Sequence, residues 1–510
     1  MKYLSHFLLI FIVSGRLFAQ EVLPRSSPEA QKVDPQGIVE FLQAMEKSEH
    51  EMHSIMVLRN GQVIAESWWD PYGPDFKHTM YSVSKSFTAT AIGLAVGEGR
   101  LSVQDKVISF FPHQLPDSIG THLKALNVQD LLTMSVGHVE EPTGKVVSSD
   151  DWVKSFLKFP IPNPPGTSFL YNTAATYILS AIVQKVSGRT LMDYLRPRLF
   201  EPLGIAGVDW ESDPNGINTG GYGLRLKTED MAKFGQLFLQ GGQWQGKQLL
   251  PLGWVEEAST MKIMQDPEAP QEKMDQSDWL QGYGYQMWRS RYNSFRADGA
   301  FGQYILILPE LDAVIVITSE TKDMQGELNL VWEHLLPAFD REIQSPDPSL
   351  KALLHDRSIA PLVDEEQPAQ ESLITGQHYE VAGPQHHGKE SFSLDFKEGI
   401  CELEWESAGR RHRFLFGSGK WVLGETDKKG PYLVAGAKGY LGGLAPFKVA
   451  GSYRWIDENT LELQLRYIES PHTEIITVTF DAGGAMMEIG NSFTNNKRQV
   501  LFDALVAEGV

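Results

Sequence analysis

The segment "MYSVSKSFTATAIGLAVGEGRL", from Met80 to Leu101, joins a serine, a lysine and a long run of small apolar residues. The residues after Ser82 are apolar nearly all round a helix, which predicts a helix buried on every side. Ser82 would lie at the positive end of that helix, with Lys85 one turn later on the same face. A buried lysine tends to lose its proton and can then activate a serine. The alternative is a capping serine beside a lysine that extends to solvent.

The bare pattern Ser-x-x-Lys is not specific, because Ser155/Lys158, Ser259/Lys262 and Ser319/Lys322 match it equally well. Ser155 and Ser259 lie in charged amphipathic stretches, and Ser319 lies at the outer end of a predicted strand. All three are therefore expected to be exposed polar residues. The buried helix that follows Ser82 favours Ser82 as the nucleophile.

Two hairpins enclose a mostly helical region of the chain. In "SIMVLRNGQVIAESWW", apolar arms flank Asn60-Gly61, which predicts a type I′ turn, and a second hairpin spans Tyr304 to Glu320. Strands at both ends with helices between them predict an α+β fold whose antiparallel sheet is completed by both ends of the region. The predicted helices are Ser82–Gly97, Val128–Met134, Ala175–Ser187 and Thr228–Leu239.

A polar, proline-bearing connector over 341–374 predicts a boundary between a first domain, 36–340, and a second, 375–510. The second domain has short alternating runs such as "CELEWE" and "TLELQLRYI", typical of a small antiparallel barrel or sandwich with a lipocalin-like strand pattern. Trp405, Trp421 and Trp455 are expected in its core rather than on a sugar-binding surface.

Composition excludes several classes of function. The chain has 510 residues, 42% of them apolar, and a net charge of −20, which argues against binding nucleic acid. Lys2 followed by the apolar run Phe7 to Val13 predicts a signal peptide over 1–20, and an uncleaved membrane anchor is the alternative. No later segment approaches a membrane span. With Cys401 as its only cysteine, the chain is expected in a bacterial periplasm or outside the cell.

Several segments resemble one family in order: the Met80 segment, "PPGTSFLYNTAATYILSAIVQKVSG", "GYGLRLKTEDMAKFGQLFLQGG" and "ADGAFGQYILILPE". Together they are similar to the serine β-lactamase and penicillin-binding-protein superfamily, on its class C-like side. That side includes D-amino-acid peptidases, esterases and 6-aminohexanoate-dimer hydrolases. The resemblance implies a helical lobe packed on an antiparallel sheet, with the active site between them.

The resemblance also implies roles for particular residues. Ser82 matches the family's nucleophile, Lys85 its partner, and Tyr171 the tyrosine of the second motif, with Lys85 expected to lower the tyrosine pKa. Gly299 would allow close backbone approach to the substrate. The N–H of Ala300 would complete an oxyanion hole with the N–H of Ser82.

The chain departs from the family pattern at two motifs. Thr173 stands where the second motif has asparagine, and Asn172, one place earlier, is a candidate for binding substrate instead. The third motif, usually Lys/His-Thr-Gly, is Ala297-Asp298-Gly299. Its missing cation disfavours β-lactams and D-Ala-D-Ala peptides, because Asp298 at the substrate site would repel a carboxylate. Arg296, beside the motif, could supply the charge.

The sequence therefore predicts an exported serine hydrolase that cleaves an ester or amide bond of a small molecule or peptide through an acyl-enzyme on Ser82. The alternative is a catalytically silent protein that binds a cell-wall or peptide ligand. No cofactor or metal is expected, and His386-His387 is interpreted as an exposed loop pair. Sequence leaves the oligomeric state and the substrate open.

Overall fold

A computed structural model describes residues 22–343, 349–364, 371–382 and 390–505. The predicted signal peptide and the His386-His387 pair lie outside these ranges. Within them, no helix has the length and apolar character needed to cross a membrane.

The helices of the described residues are α1 Pro35–Glu46, α2 Ser84–Gly97, α3 Val107–Phe110, α4 Thr121–Ala125, α5 Val128–Leu132, α6 Thr143–Val147, α7 Trp152–Lys158, α8 Thr173–Ser187, α9 Leu191–Leu195, α10 Thr228–Leu239, α11 Trp254–Ser259, α12 Gln271–Gln276, α13 Met324–Leu330, α14 Ser349–His355 and α15 Glu371–Ile374. The four helices expected from the sequence are α2, α5, α8 and α10, with ends displaced by no more than two residues.

The strands are β1 Glu51–Arg59, β2 Gln62–Trp68, β3 His78–Thr79, β4 Asp209–Trp210, β5 Leu224–Leu226, β6 Gln243–Trp244, β7 Lys247–Gln248, β8 Trp288–Arg289, β9 Phe295–Gly299, β10 Gln303–Leu308, β11 Ala313–Glu320, β12 His378–Val381, β13 Glu390–Lys397, β14 Ile400–Ser407, β15 Arg410–Ser418, β16 Val422–Thr426, β17 Phe447–Asp457, β18 Thr460–Tyr467, β19 Thr473–Phe480, β20 Gly484–Asn491 and β21 Arg498–Ala504.

The first unit is built on a six-stranded antiparallel sheet with the order β2-β1-β11-β10-β9-β8. The neighbouring strands β1 and β11 come from opposite ends of the unit, as the two sequence hairpins predict. Asn60 (φ 50°) and Gly61 (φ 72°) both have left-handed backbone at the β1–β2 turn. A type I′ turn requires this, so the Asn-Gly prediction is confirmed.

The helical lobe is organised around α2, which packs against α8. Every α2 residue from Ser84 to Ala95 is buried, because small and apolar side chains surround the helix. Tyr81 to Val83 form one 3₁₀ turn, and the α-helix begins at Ser84. Ser82 therefore lies just before the buried helix instead of within its first turn.

The second unit is a closed barrel of nine strands, not a sandwich. Antiparallel neighbours follow the order β15-β14-β13-β12-β21-β20-β19-β18-β17, and a parallel pairing of β15 with β17 closes the ring. Strand β16 pairs with the outer side of β17. Trp405 and Trp455 are buried in the barrel core, and the half-buried Trp421 donates its indole N–H to Ile359 O at 2.8 Å. Trp405 and Trp455 thus agree with the core interpretation, whereas Trp421 packs in a separate cluster with Tyr72 of the first unit.

The barrel contacts the first unit through buried polar side chains. Arg466 of β18 pairs with Glu51 of β1 at 2.5 Å, and Glu469 accepts from Arg225 of β5 at 3.2 Å. Glu211 accepts from the backbone N–H of Leu441, in the β16–β17 connection, at 2.9 Å. Because buried charges are stable only when paired, these contacts fix the barrel against β1, β5 and the segment that contains Glu211.

Candidate active site

Lys85 and Ser82 form the centre of the site. The Nζ atom of Lys85 lies 3.0 Å from Ser82 Oγ, and the lysine is only 1% exposed. Burial lowers the pKa of Lys85 from 10.5 to about 7, because the charged ammonium loses its hydration. The alternative in which this lysine extends to solvent is therefore excluded by its position, and its amine can exist without a proton at neutral pH.

Two further groups hold the lysine amine in place. Its Nζ donates to Thr173 Oγ1 at 3.1 Å and to the carbonyl oxygen of Gly221 at 2.8 Å. A Cβ on Gly221 would come within 2.8 Å of the Thr173 side chain and 3.5 Å of Nζ, so this backbone approaches as only glycine allows. Sequence reasoning did not assign either residue to the site. Thr173, two residues after Tyr171, is where the family motif has its asparagine, and that spacing was the available signal.

Tyr171 lies beside both groups. The Ser82 side chain is among the groups that act on the pKa of the Tyr171 phenol, and the Tyr171 ring centroid lies 4.9 Å from the Nζ of Lys85. The ring stacks on Trp288 at 5.4 Å. Burial raises the pKa of Tyr171, and the nearby Asp298 carboxylate raises it further. The expectation that Lys85 lowers this pKa is wrong, because burial of the phenol is the dominant influence and raises the pKa; the phenol keeps its proton.

Asn172 faces away from this chemistry. Its side-chain oxygen accepts from the backbone N–H of Ala175 at 3.0 Å, and so caps α8. Its amide nitrogen lies 2.9 Å from Nδ1 of His138. With both ends of the amide engaged, the cap positions Tyr171 and Thr173, and Asn172 as a substrate-binding residue remains only a prediction.

Strand β9 brings the third motif against the turn that holds Ser82. A Cβ on Gly299 would lie 2.3 Å from Met80 O and 3.2 Å from Ser82 N, so a side chain there would force the strand away. Residue 299 must be glycine because the backbone from Met80 to Ser82 leaves no room for a Cβ. Ala300, the next residue, follows β9 directly and is half-buried.

Asp298 and Arg296 form an ion pair at the motif position where the family has a cation. The guanidinium Nε and NH2 atoms of Arg296 lie 3.0 and 2.9 Å from Asp298 Oδ2. Arg296 is fully buried, donates to Asp278 O at 2.8 Å and lies 4.5 Å from the Trp279 ring. The positive charge of Arg296 is thus neutralised by Asp298 in the protein interior, and Arg296 does not present a free cation to a substrate.

A second carboxylate, Glu141, lies near the lysine. Its Oε1 accepts from the backbone N–H of Thr173 at 3.0 Å. Glu141 and Asp298 both oppose the fall in the pKa of Lys85. The surroundings of the amine are therefore acidic, and sequence spacing gave no indication that Glu141 belongs to them.

The other Ser-x-x-Lys serines lie elsewhere. Ser155 is on α7 and Ser259 on α11, both half-buried. The expectation that Ser319 is exposed is wrong. It is fully buried at the end of β11, where its hydroxyl lies 3.0 Å from both Phe301 O and Gly302 O. Ser319 thus stabilises the loop after β9 by donating to these two carbonyl oxygens.

Across the described ranges, no cluster of three or more His, Cys, Asp or Glu side chains could hold a metal ion. The polar groups that converge on Ser82 are an amine, a phenol and backbone amides. Such a set can activate a hydroxyl and transfer protons.

Parts of the chain are similar in sequence to known proteins. The chain is 27% identical over 291 residues to 6-aminohexanoate-dimer hydrolase of Paenarthrobacter ureafaciens, covering 53% of this chain and 73% of that protein. It is 20% identical over 310 residues to a β-lactamase of Escherichia coli K12, covering 50% and 78%.

A solved structure described as "Putative 6-aminohexanoate-dimer hydrolase from Bacillus anthracis" shares the fold. It has a TM-score of 0.50 at 20% identity and covers 64% of this chain and 89% of that one. The family model described as Beta-lactamase matches residues 42–336, which is more than half of the chain. The chain therefore belongs to the Beta-lactamase family.

Proposed function

We propose that this protein is an exported serine hydrolase that cleaves an ester or amide bond through an acyl-enzyme on Ser82. The observation that supports this most directly is the buried amine of Lys85, 3.0 Å from the Ser82 hydroxyl. An amine whose pKa is about 7 can accept the serine proton near neutral pH. Export rests on the sequence of residues 1–20.

Acylation would begin when the Ser82 oxygen attacks the substrate carbonyl while its proton passes to Lys85. The negative charge on the carbonyl oxygen would be stabilised by the N–H groups of Ser82 and Ala300. Tyr171, which keeps its phenol proton, would donate it to the leaving oxygen or nitrogen and recover one from the Lys85 ammonium. The carbonyl–leaving-group bond breaks, and a seryl ester remains.

Deacylation repeats these steps with water as the nucleophile. Lys85 accepts a proton from water as the water oxygen attacks the seryl ester. The Ser82 oxygen leaves with a proton returned from the same network, which restores the free enzyme.

The acidic surroundings bear on selectivity. A substrate carboxylate near β9 would meet Asp298 without a free cation, because Arg296 is already paired with that aspartate. We therefore infer neutral esters and amides, or substrates with an amino group near the scissile bond, as better substrates than β-lactams.

Labelling with a fluorophosphonate probe and hydrolysis of p-nitrophenyl esters test the proposal. Wild type should label once and turn over, whereas Ser82→Ala should do neither and remain folded by circular dichroism. Lys85→Ala should lower turnover by orders of magnitude. Ser155→Ala is a matched control, since it removes a serine in the same four-residue pattern on α7.

The outcomes separate the alternatives. Normal hydrolysis by Ser82→Ala would exclude Ser82 as the nucleophile. A folded wild type that neither labels nor turns over would favour the silent binding protein. A panel of short D-peptides, p-nitrophenyl esters and nitrocefin ranks the substrates, and nitrocefin as the best of them would contradict the inferred selectivity.

A further inference from the structure

Two non-glycine residues with left-handed backbone lie next to the two amides assigned to the oxyanion hole. Tyr81 (φ 43°) precedes Ser82, and Phe301 (φ 67°) follows Ala300. Left-handed backbone is unfavourable for a bulky residue, because its Cβ approaches the following carbonyl oxygen. Such strain persists only where surrounding contacts enforce it. The contacts that enforce these two conformations therefore also set the direction of the Ser82 and Ala300 N–H groups.

One barrel residue, His472, touches both strained residues. Its Nε2 lies 2.6 Å from the phenol oxygen of Tyr81. Its ring meets the Phe301 ring edge-on, with centroids 4.7 Å apart and an interplanar angle of 89°. His472 is fully buried, so both contacts are shielded from water.

The orientation of His472 is itself determined by its neighbours. Nδ1 lies 2.6 Å from the carboxylate of Glu320, which accepts the Nδ1 proton. Nε2 is then left to accept the Tyr81 hydroxyl proton, a tautomer assigned from this network. Phe493 packs on the other ring face at 4.1 Å and also contacts Phe301 at 5.3 Å.

His472 lies in the segment "RYIESPHTE", Arg466 to Glu474, which connects β18 to β19. His472 and Tyr81 are 391 positions apart in the sequence, so only the tertiary fold brings them together. Tyr432, from another barrel connection, stacks on Tyr81 at 5.4 Å and reinforces the same contact.

We propose that His472 is a positioning residue for catalysis: it holds Tyr81 and Phe301 in their strained conformations and so aligns the N–H groups of Ser82 and Ala300. The barrel is then a working part of the active site and not only an appended domain. This inference rests on the proposed function, because an oxyanion hole matters only if Ser82 forms an acyl-enzyme.

His472→Ala tests the inference. Losing one oxyanion donor outright costs about 10²–10³ in rate, so misalignment of two donors should lower kcat about 10- to 100-fold. KM for p-nitrophenyl butyrate should change less than threefold. Binding of phenylboronic acid, which forms a tetrahedral adduct with an active serine, should weaken by the same factor as kcat.

Lys438→Ala is the matched control. It removes a contact of the barrel with Asp150 of the first unit, at 2.5 Å, without touching the strained residues. If the interface only stabilised the fold, kcat would be unchanged in both His472→Ala and Lys438→Ala, or it would change equally in both. His472→Gln, whose amide can still accept from Tyr81, should recover part of the lost rate.

A folded His472→Ala protein with kcat and boronate affinity within twofold of wild type would overturn the inference. If that variant does not fold, Phe493→Leu removes the ring that holds His472 and Phe301, and an unchanged kcat there would overturn it equally. Wild type that forms no boronate adduct and has no turnover would overturn the proposed function as well, which distinguishes the two failures.

Discussion

Glu141→Gln should make the enzyme faster in mild acid, because the Glu141 carboxylate keeps a proton on Lys85. In wild type the pKa of Lys85 is about 7. If only the neutral amine is active, the active fraction is about one half at pH 7, ~10% at pH 6 and ~1% at pH 5. The rate constant kcat/KM should therefore fall about 100-fold from its plateau to pH 5.

The size of the Glu141 effect follows from its exposure. An exposed ionic interaction contributes about 1 kcal/mol or less. One pKa unit corresponds to about 1.4 kcal/mol. Glu141→Gln should therefore lower the apparent pKa on the acid side of the pH–rate profile by at most about 0.7 unit. At pH 6 this raises the neutral fraction of Lys85 from ~10% to at most ~33%, a gain of at most about fourfold. The glutamine oxygen can still accept from the Thr173 N–H, as Oε1 does now at 3.0 Å.

The assay is ester hydrolysis from pH 5 to 9 at 0.1 M and 1 M salt. The shift should shrink at 1 M, where the screening length falls from about 10 Å to about 3 Å. Glu140→Gln is the control, since this neighbouring exposed carboxylate pairs with Lys145. A wild-type rate that changes less than threefold between pH 5 and 8 would refute the neutral-lysine mechanism. An upward shift in Glu141→Gln would refute the electrostatic argument.

Two further variants test the close backbone contact at Gly299 and the protonation of the buried Glu327. Gly299→Ala places a Cβ 2.3 Å from Met80 O and should lower kcat more than tenfold. The control Gly144→Ala, where nothing lies within 4 Å of the new Cβ, should leave kcat unchanged. Equal kcat values for the two variants would contradict the argument. Burial raises the pKa of Glu327 to about 8, so wild type should lose up to about 1.4 kcal/mol of stability per pH unit between pH ~4.5 and 8 relative to Glu327→Gln. Urea unfolding at pH 5 and 8 measures this; the exposed Glu333→Gln should show no such trend.

The sign for Glu327 follows from proton binding. The unfolded carboxyl ionises near pH 4.5, while the buried one keeps its proton to about pH 8. Between these values the native state binds more protons, so stability falls as pH rises. Parallel stability curves for wild type and Glu327→Gln would contradict the assignment of a protonated buried acid.

Local patterns were enough for much of the fold. The Asn60-Gly61 turn, the period of the strands and the all-round apolar face of α2 are short-range properties, so they predicted the two hairpins and the buried helix. Ser82, Lys85 and Tyr171 were predicted in the same way, from spacing and from resemblance. That the Lys85 amine lies close to both the Ser82 hydroxyl and the Tyr171 ring is visible only in the structure.

Turn chemistry and hydrophobic period act over a few residues, so the amino-acid sequence was sufficient to predict the two hairpins, four of the helices and the α+β class, and to propose Ser82, Lys85 and Tyr171. Tertiary structure alone decided which charges meet. It paired Arg296 with Asp298, placed Glu141 near Lys85 and brought His472 to Tyr81. The physical reason is that pKa values and backbone strain depend on distance and burial, and both come from contacts between segments far apart in the chain.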